Sequence, residues 1–158
     1  TRCFWVDTWA FEQITAEIDR HLKGPRDKVD DARLTQLADR MLALYAGPYM
    51  ATDTDEPWYI SPRERLRNKF VRAMGDIGRY WQQAGQLDRA VDYFQRSLET
   101  DNLAEGFYRH LMLCYRQLGR HAEAIDIYQR CRKTFSAVLS VAPSPETTAL
   151  YETLLHQS

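Results

Sequence analysis

The feature that most restricts how this chain can fold is an internal repeat. Residues 74–94 align with residues 108–128 without a gap, and Gly85 and Gly119 stand 34 residues apart. That period is the length of the tetratricopeptide hairpin. Its pattern asks for a large residue, then Leu and a small residue, then an aromatic in one helix, followed by Ala and an aromatic in the next. The first copy supplies Met74, Ile77, Gly78, Trp81, Ala90 and Phe94, and the second Tyr108, Leu111, Met112, Tyr115, Ala124 and Tyr128. Gly78 and Ala90 are small where two helices must approach closely, and the aromatics fill the space around them. Gly85 and Gly119 are placed to end the first helix of each pair with positive φ, which glycine adopts at least cost. Met112 departs from the pattern by replacing a small residue, and the closing Pro is Asn102 in one copy and Ser136 in the other.

Start signals agree with this register. Ser61-Pro62 with Glu64, and Asn102 with Glu105, have the cap-to-Glu spacing of a helix N-terminus, and Ser144-Pro145 starts a final helix. Upstream, residues 7–23 and 31–46 read as another helix pair. One helix carries Trp9, Ile14, Ile18 and Leu22 on one face; the other carries Leu34, Leu37, Met41, Leu42 and Tyr45. Gly24-Pro25 separates them and Gly47-Pro48 ends them, but the repeat signature is not legible there. Residues 51–57 read as an exposed loop. The expectation is an all-α, tetratricopeptide-like superhelical stack of about three helical hairpins plus a C-terminal capping helix. It forms a single domain over 1–158, with the clearest repeats at 71–104 and 105–138, and Leu150 and Leu154 cover its open end.

The 158 residues are 44% hydrophobic and 27% charged, enough for a core without metal or disulfides, and the net charge of -1 gives no global pull toward nucleic acid or an anionic membrane. Cys3, Cys114 and Cys131 include no close pair and read as reduced thiols. No apolar run approaches the roughly 20 residues that span a bilayer, so a soluble, cytoplasmic protein without a membrane partner is expected. The start at Thr1 rather than Met reads as a piece of something longer. His21, His110, His121 and His156 lack metal-ligand spacing, and no HExxH, phosphate-binding glycine loop or GxSxG turn occurs. No enzyme, cofactor or metal is expected. His110 and Cys114, four apart on one helix, could juxtapose a base and a thiol, or simply pack. Asp53, Asp55 and Glu56 suit a cation or a solvated loop.

Three further segments carry a resemblance. These are Leu42 to Met50; Trp58 followed by Arg63 and Leu66; and Asp101-Asn102-Leu103-Ala104-Glu105 leading to Leu111-Met112. With Val6 to Phe11 and Val141 to Ser144 they resemble the bacterial transcriptional activator domain over nearly the whole chain. That family is a tetratricopeptide-like module of antibiotic-regulatory-type regulators, which normally follows a winged-helix DNA-binding domain. The resemblance implies a regulatory protein-interaction module that couples a signal, self-association or contact with the transcription machinery to a DNA-binding domain outside this chain. Its implied partners are that domain, RNA polymerase or a second copy, and a small-molecule or nucleotide effector is compatible with such a module. No specific DNA binding by the chain itself is expected. The alternative is a free-standing tetratricopeptide adaptor for an acidic peptide or phosphorylated ligand.

Arginine spacing marks one candidate surface. Arg65, Arg72 and Arg79 recur every seven residues, as do Arg109 and Arg116, and a seven-residue step rotates only about 20° around a helix. First helices of a tetratricopeptide stack line its concave side. Arg72, Arg79, Arg109 and Arg116, extended by Gln82, Gln83 and Gln117, would thus form an anion-binding or partner-binding groove. The competing reading is a solvated face with local pairs such as Arg72 with Asp76. The carboxylate clamp of chaperone-tail receptors is not matched at Gly75, Arg79 and Arg109. Trp9, Trp58 and Tyr59, outside the repeat, are a second candidate contact surface, while Trp81, Phe94, Tyr115 and Tyr128 belong to the core.

Overall fold

Helix boundaries follow the punctuation of the sequence closely. The computed structural model describes residues 2–45 and 60–156, and among these there are seven α-helices and no strand. They are α1 (Arg2–Lys23), α2 (Asp31–Tyr45), α3 (Ile60–Gln83), α4 (Leu87–Thr100), α5 (Glu105–Gln117), α6 (His121–Leu139) and α7 (Pro145–His156). A short 3-10 turn at Arg26–Lys28 follows Gly24-Pro25. The chain divides into two units, Thr1–Ile77 and Gly78–Ser158. The fold is an all-α helical repeat. The loop 51–57 and the acids Asp53, Asp55 and Glu56 lie outside the described residues.

In the second unit the 34-residue period extends to individual hydrogen bonds. At the end of α3, Gly85 N–H donates to Gln82 O at 3.2 Å and Gln86 N–H to Trp81 O at 2.8 Å. At the end of α5, Gly119 N–H donates to Arg116 O at 3.0 Å and Arg120 N–H to Tyr115 O at 2.8 Å. This paired pattern is the Schellman closure, which needs a left-handed residue at its centre. Gly85 has φ 80° and Gly119 φ 74°. The close approach expected at Gly78 is also present: a Cβ there would lie 2.1 Å from the Phe94 ring. Trp81, Ala90, Phe94, Tyr115, Ala124 and Tyr128 are all buried.

Each second helix presents an aromatic to the helix that follows it. Phe94 on α4 stacks on His110 of α5 at 4.8 Å and tilts against Phe107. Tyr128 on α6 stacks on Tyr151 of α7 at 3.9 Å. The last helix thus takes the place of a further first helix, with Leu154 fully buried. Ser144 caps it: its Oγ accepts from Thr147 N–H and its carbonyl from Thr148 N–H.

Three details differ from the sequence reading. Trp9 does not share the buried face of α1; that face is Phe11, Ile14 and Ile18, and Trp9 is 63% exposed. Ser61 falls inside the first turn of α3, beside Pro62, where a missing N–H is tolerated. Asn102 does not cap α5. Ala104 holds that position without a side-chain bond, and the Glu105 carboxylate is drawn to α7 instead.

The first unit contains a hairpin of different chemistry. Phe11, Ile14 and Ile18 of α1 and Leu34, Leu37, Ala38, Met41 and Tyr45 of α2 are buried. Tyr45 stacks on Phe70 of α3 at 4.0 Å. Asp30 caps α2 with its own side chain, accepting from Ala32 N–H at 3.0 Å and Arg33 N–H at 3.2 Å. Arg33 Nε donates to Glu17 at 2.7 Å across the two helices.

Candidate functional site

The repeat places the C-terminal ends of α3 and α5 at equivalent positions in the second unit. Gln82 Nε2 donates to Gln117 Oε1 at 3.3 Å, so these two candidate groove residues are neighbours. Arg79 and Gln83 are exposed on α3, and Arg116, half-buried, precedes Gln117 on α5. Arg72, two turns earlier on α3, belongs to the first unit, is exposed and forms no ion pair among the described residues.

Arg109 has a different setting. Its Nη1 donates to Thr147 Oγ1 at 3.0 Å and lies 3.8 Å from Glu105, while its Nε is 3.7 Å from Glu146. Glu105, one turn before Arg109 on the same helix, accepts from Ser144 N–H at 2.7 Å and from the Thr147 hydroxyl at 2.6 Å. Thr147 is completely buried, so its hydroxyl requires such partners. Burial alone would raise the Glu105 carboxyl, but hydrogen bonds from Thr147 and Ser144, reinforced by Arg109, hold it below its ordinary value. Glu105 and Arg109 therefore fasten the N-terminus of α7 to α5. Two of Arg109's partners, Glu146 and Thr147, are 37 and 38 residues further on, and no local rule pairs them.

The His110–Cys114 pair is a packing pair. The imidazole lies flat on Phe94, and burial pushes the Cys114 thiol up to about 12, as it does for Cys131, so neither is a thiolate nucleophile near neutrality. Of the aromatic candidates, Trp9 stands exposed on α1, while Trp58 and Tyr59 lie outside the described residues. Among the described residues no group of three or more His, Cys, Asp or Glu side chains is arranged to hold a metal, and no helix is long and apolar enough to cross a membrane.

Comparison with known proteins bears on what such a surface serves. The family model described as the bacterial transcriptional activator domain matches residues 6–155. The transcriptional regulatory protein MoaR1 of Mycobacterium bovis is 32% identical over 73 residues, and that of Mycobacterium tuberculosis is equally similar. The match takes in 46% of this chain but 24% of the relative's length.

Proposed function

This chain belongs to the bacterial transcriptional activator domain family and is a module of transcription regulation; from that premise we propose that it is the protein-interaction part of an activator whose DNA-binding domain lies outside the chain. The family match over residues 6–155 carries the reading. The helical-repeat fold supports it, because stacked helix pairs present long side chains along a continuous surface. Its role would be to couple a signal, self-association or contact with RNA polymerase to the DNA-bound domain.

Within that role we assign partner contact to the ends of α3 and α5, where Arg79, Arg116, Gln82, Gln83 and Gln117 offer hydrogen-bond donors and two cations. Guanidinium groups suit an acidic protein face because they bind carboxylates bidentately. Arg109 supports this surface by holding α7. Specific recognition of duplex DNA is not assigned to the chain, since a net charge of -1 leaves little phosphate neutralisation.

A mobility-shift comparison tests the division of labour. The intact protein should bind its operator selectively at physiological salt, whereas this chain alone should not. Selective binding by the isolated chain would overturn the reading. So would a complete coding frame with no DNA-binding domain in it or in a stable partner, which would favour the free-standing adaptor.

A further inference from the structure

The second half of α6 departs from the charge balance of the whole. Between Asp126 and Glu146 there is no acidic residue, and Arg130, Arg132 and Lys133 fall within that stretch. All three are exposed, and none forms an ion pair with a described residue. They border an open concavity of about 820 Å³, together with Gln129 and Ser136. Immediately beyond them, Val138 is 56% exposed, Leu139 49% and Val141 49%. Among the described residues four large apolar side chains are at least 49% exposed, and three of them lie within these four positions. Ser140, at φ 55°, turns the chain there and holds Val141 beside the end of the helix.

We propose that this end of α6 is a docking surface for an acidic amphipathic helix of a protein partner. Uncompensated cations attract carboxylates, and the neighbouring apolar side chains lose water only against an apolar partner. Arg132 and Leu139 are seven residues apart, so they share a face and stand about 10 Å apart along the axis. A partner helix with an acid and a leucine two turns apart matches that spacing, laid along the groove by its apolar anchors. Duplex DNA fits less well, because phosphates offer nothing to Val138, Leu139 or Val141. The surface is separate from the Arg79–Arg116 region, so its test is independent of the role assigned there.

The probe is a fluorescent helical peptide with Glu and Leu spaced two turns apart, titrated into this 158-residue chain alone and followed by anisotropy. Controls are the same peptide with Ser for Leu and a short duplex of arbitrary sequence. The Glu/Leu peptide should bind at least about tenfold more tightly than either control, and its affinity should fall with salt. R132E/K133E and, separately, V138S/L139S should each weaken binding about tenfold without loss of helicity. The second variant leaves the charge unchanged, so a folding defect in one still leaves the other decisive. Undetectable binding of the Glu/Leu peptide, equal binding of the Glu/Ser peptide, or preferred binding of duplex would each overturn the proposal.

Discussion

The hairpin of α1 and α2 and the hairpin of α5 and α6 reach the same burial pattern by different residues. In α2 the buried positions Leu34, Leu37, Ala38, Met41 and Tyr45 are spaced as Ala124, Ile127, Tyr128, Cys131 and Phe135 are in α6, and α2 buries Leu42 besides. What differs is where the bulk sits. Ala then aromatic, the pair that marks the repeat at Ala124 and Tyr128, becomes Leu34 and Ala38. The turn differs too, with an aspartate side chain before α2 and a backbone closure around Gly119 before α6. Helical packing demands the spacing, whereas the order of large and small is open as long as the volume is filled.

Truncating the large residue of Leu34–Ala38, and of Ala90–Phe94, the same Ala-then-aromatic pair one repeat earlier on α4, tests this most severely. Leu34→Ala in the first unit should cost about 2–5 kcal/mol and Phe94→Ala in the second about 3–5 kcal/mol in urea unfolding, since both are fully buried. A Leu34→Ala loss under 1 kcal/mol would break the comparison.

The α7 fastening comes next. Thr147→Val keeps the shape but leaves Arg109 and Glu105 without the hydroxyl, a loss of about 1.5–3 kcal/mol for bonds to charged groups. Because the folded Glu105 carboxyl is held below its unfolded value, its contribution is present above that unfolded value and disappears as pH falls through the folded one. Amide protection in α7, corrected for the intrinsic exchange rate, should fall over that acidic window, and Glu105→Gln should flatten the dependence. Exchange in α7 that ignores both changes would contradict the assignment.

The turns give smaller effects that sharpen the contrast. Gly119→Ala should lose about 1–2 kcal/mol through the left-handed backbone, and Asp30→Ala about 1 kcal/mol through the lost cap. Thermal midpoints of the two variants would check both. A neutral Gly119→Ala would mean that the turn has relaxed into another closure.

These contrasts also explain what could be read from sequence. The repeat, Gly85, Gly119 and the aromatic core were legible because each rests on a local rule of spacing or backbone conformation. The first hairpin was legible as helices but not as a repeat-like pair, because its large and small positions are exchanged. Trp9 fits a helical apolar stripe by period, yet the buried stripe is set by Phe11, Ile14 and Ile18. Asn102 and Glu105 had the spacing of a local cap, but Glu105 is engaged by Ser144 and Thr147, a tertiary choice that no short window contains. The same contact gives Arg109 a role that its seven-residue spacing from Arg116 did not reveal.

That Arg79 and Arg116, at the ends of α3 and α5, serve a partner is the central proposal. It is tested most directly with Arg79→Glu/Arg116→Glu in the intact protein, which spares Arg109 and hence α7. Operator binding, helicity and transcription from a reporter are measured together. Reversing contacts that are each charge-assisted should reduce activation at least about tenfold. That loss is expected with operator binding and helicity retained; unchanged activation by a folded, DNA-bound double variant would contradict the partner role of Arg79 and Arg116.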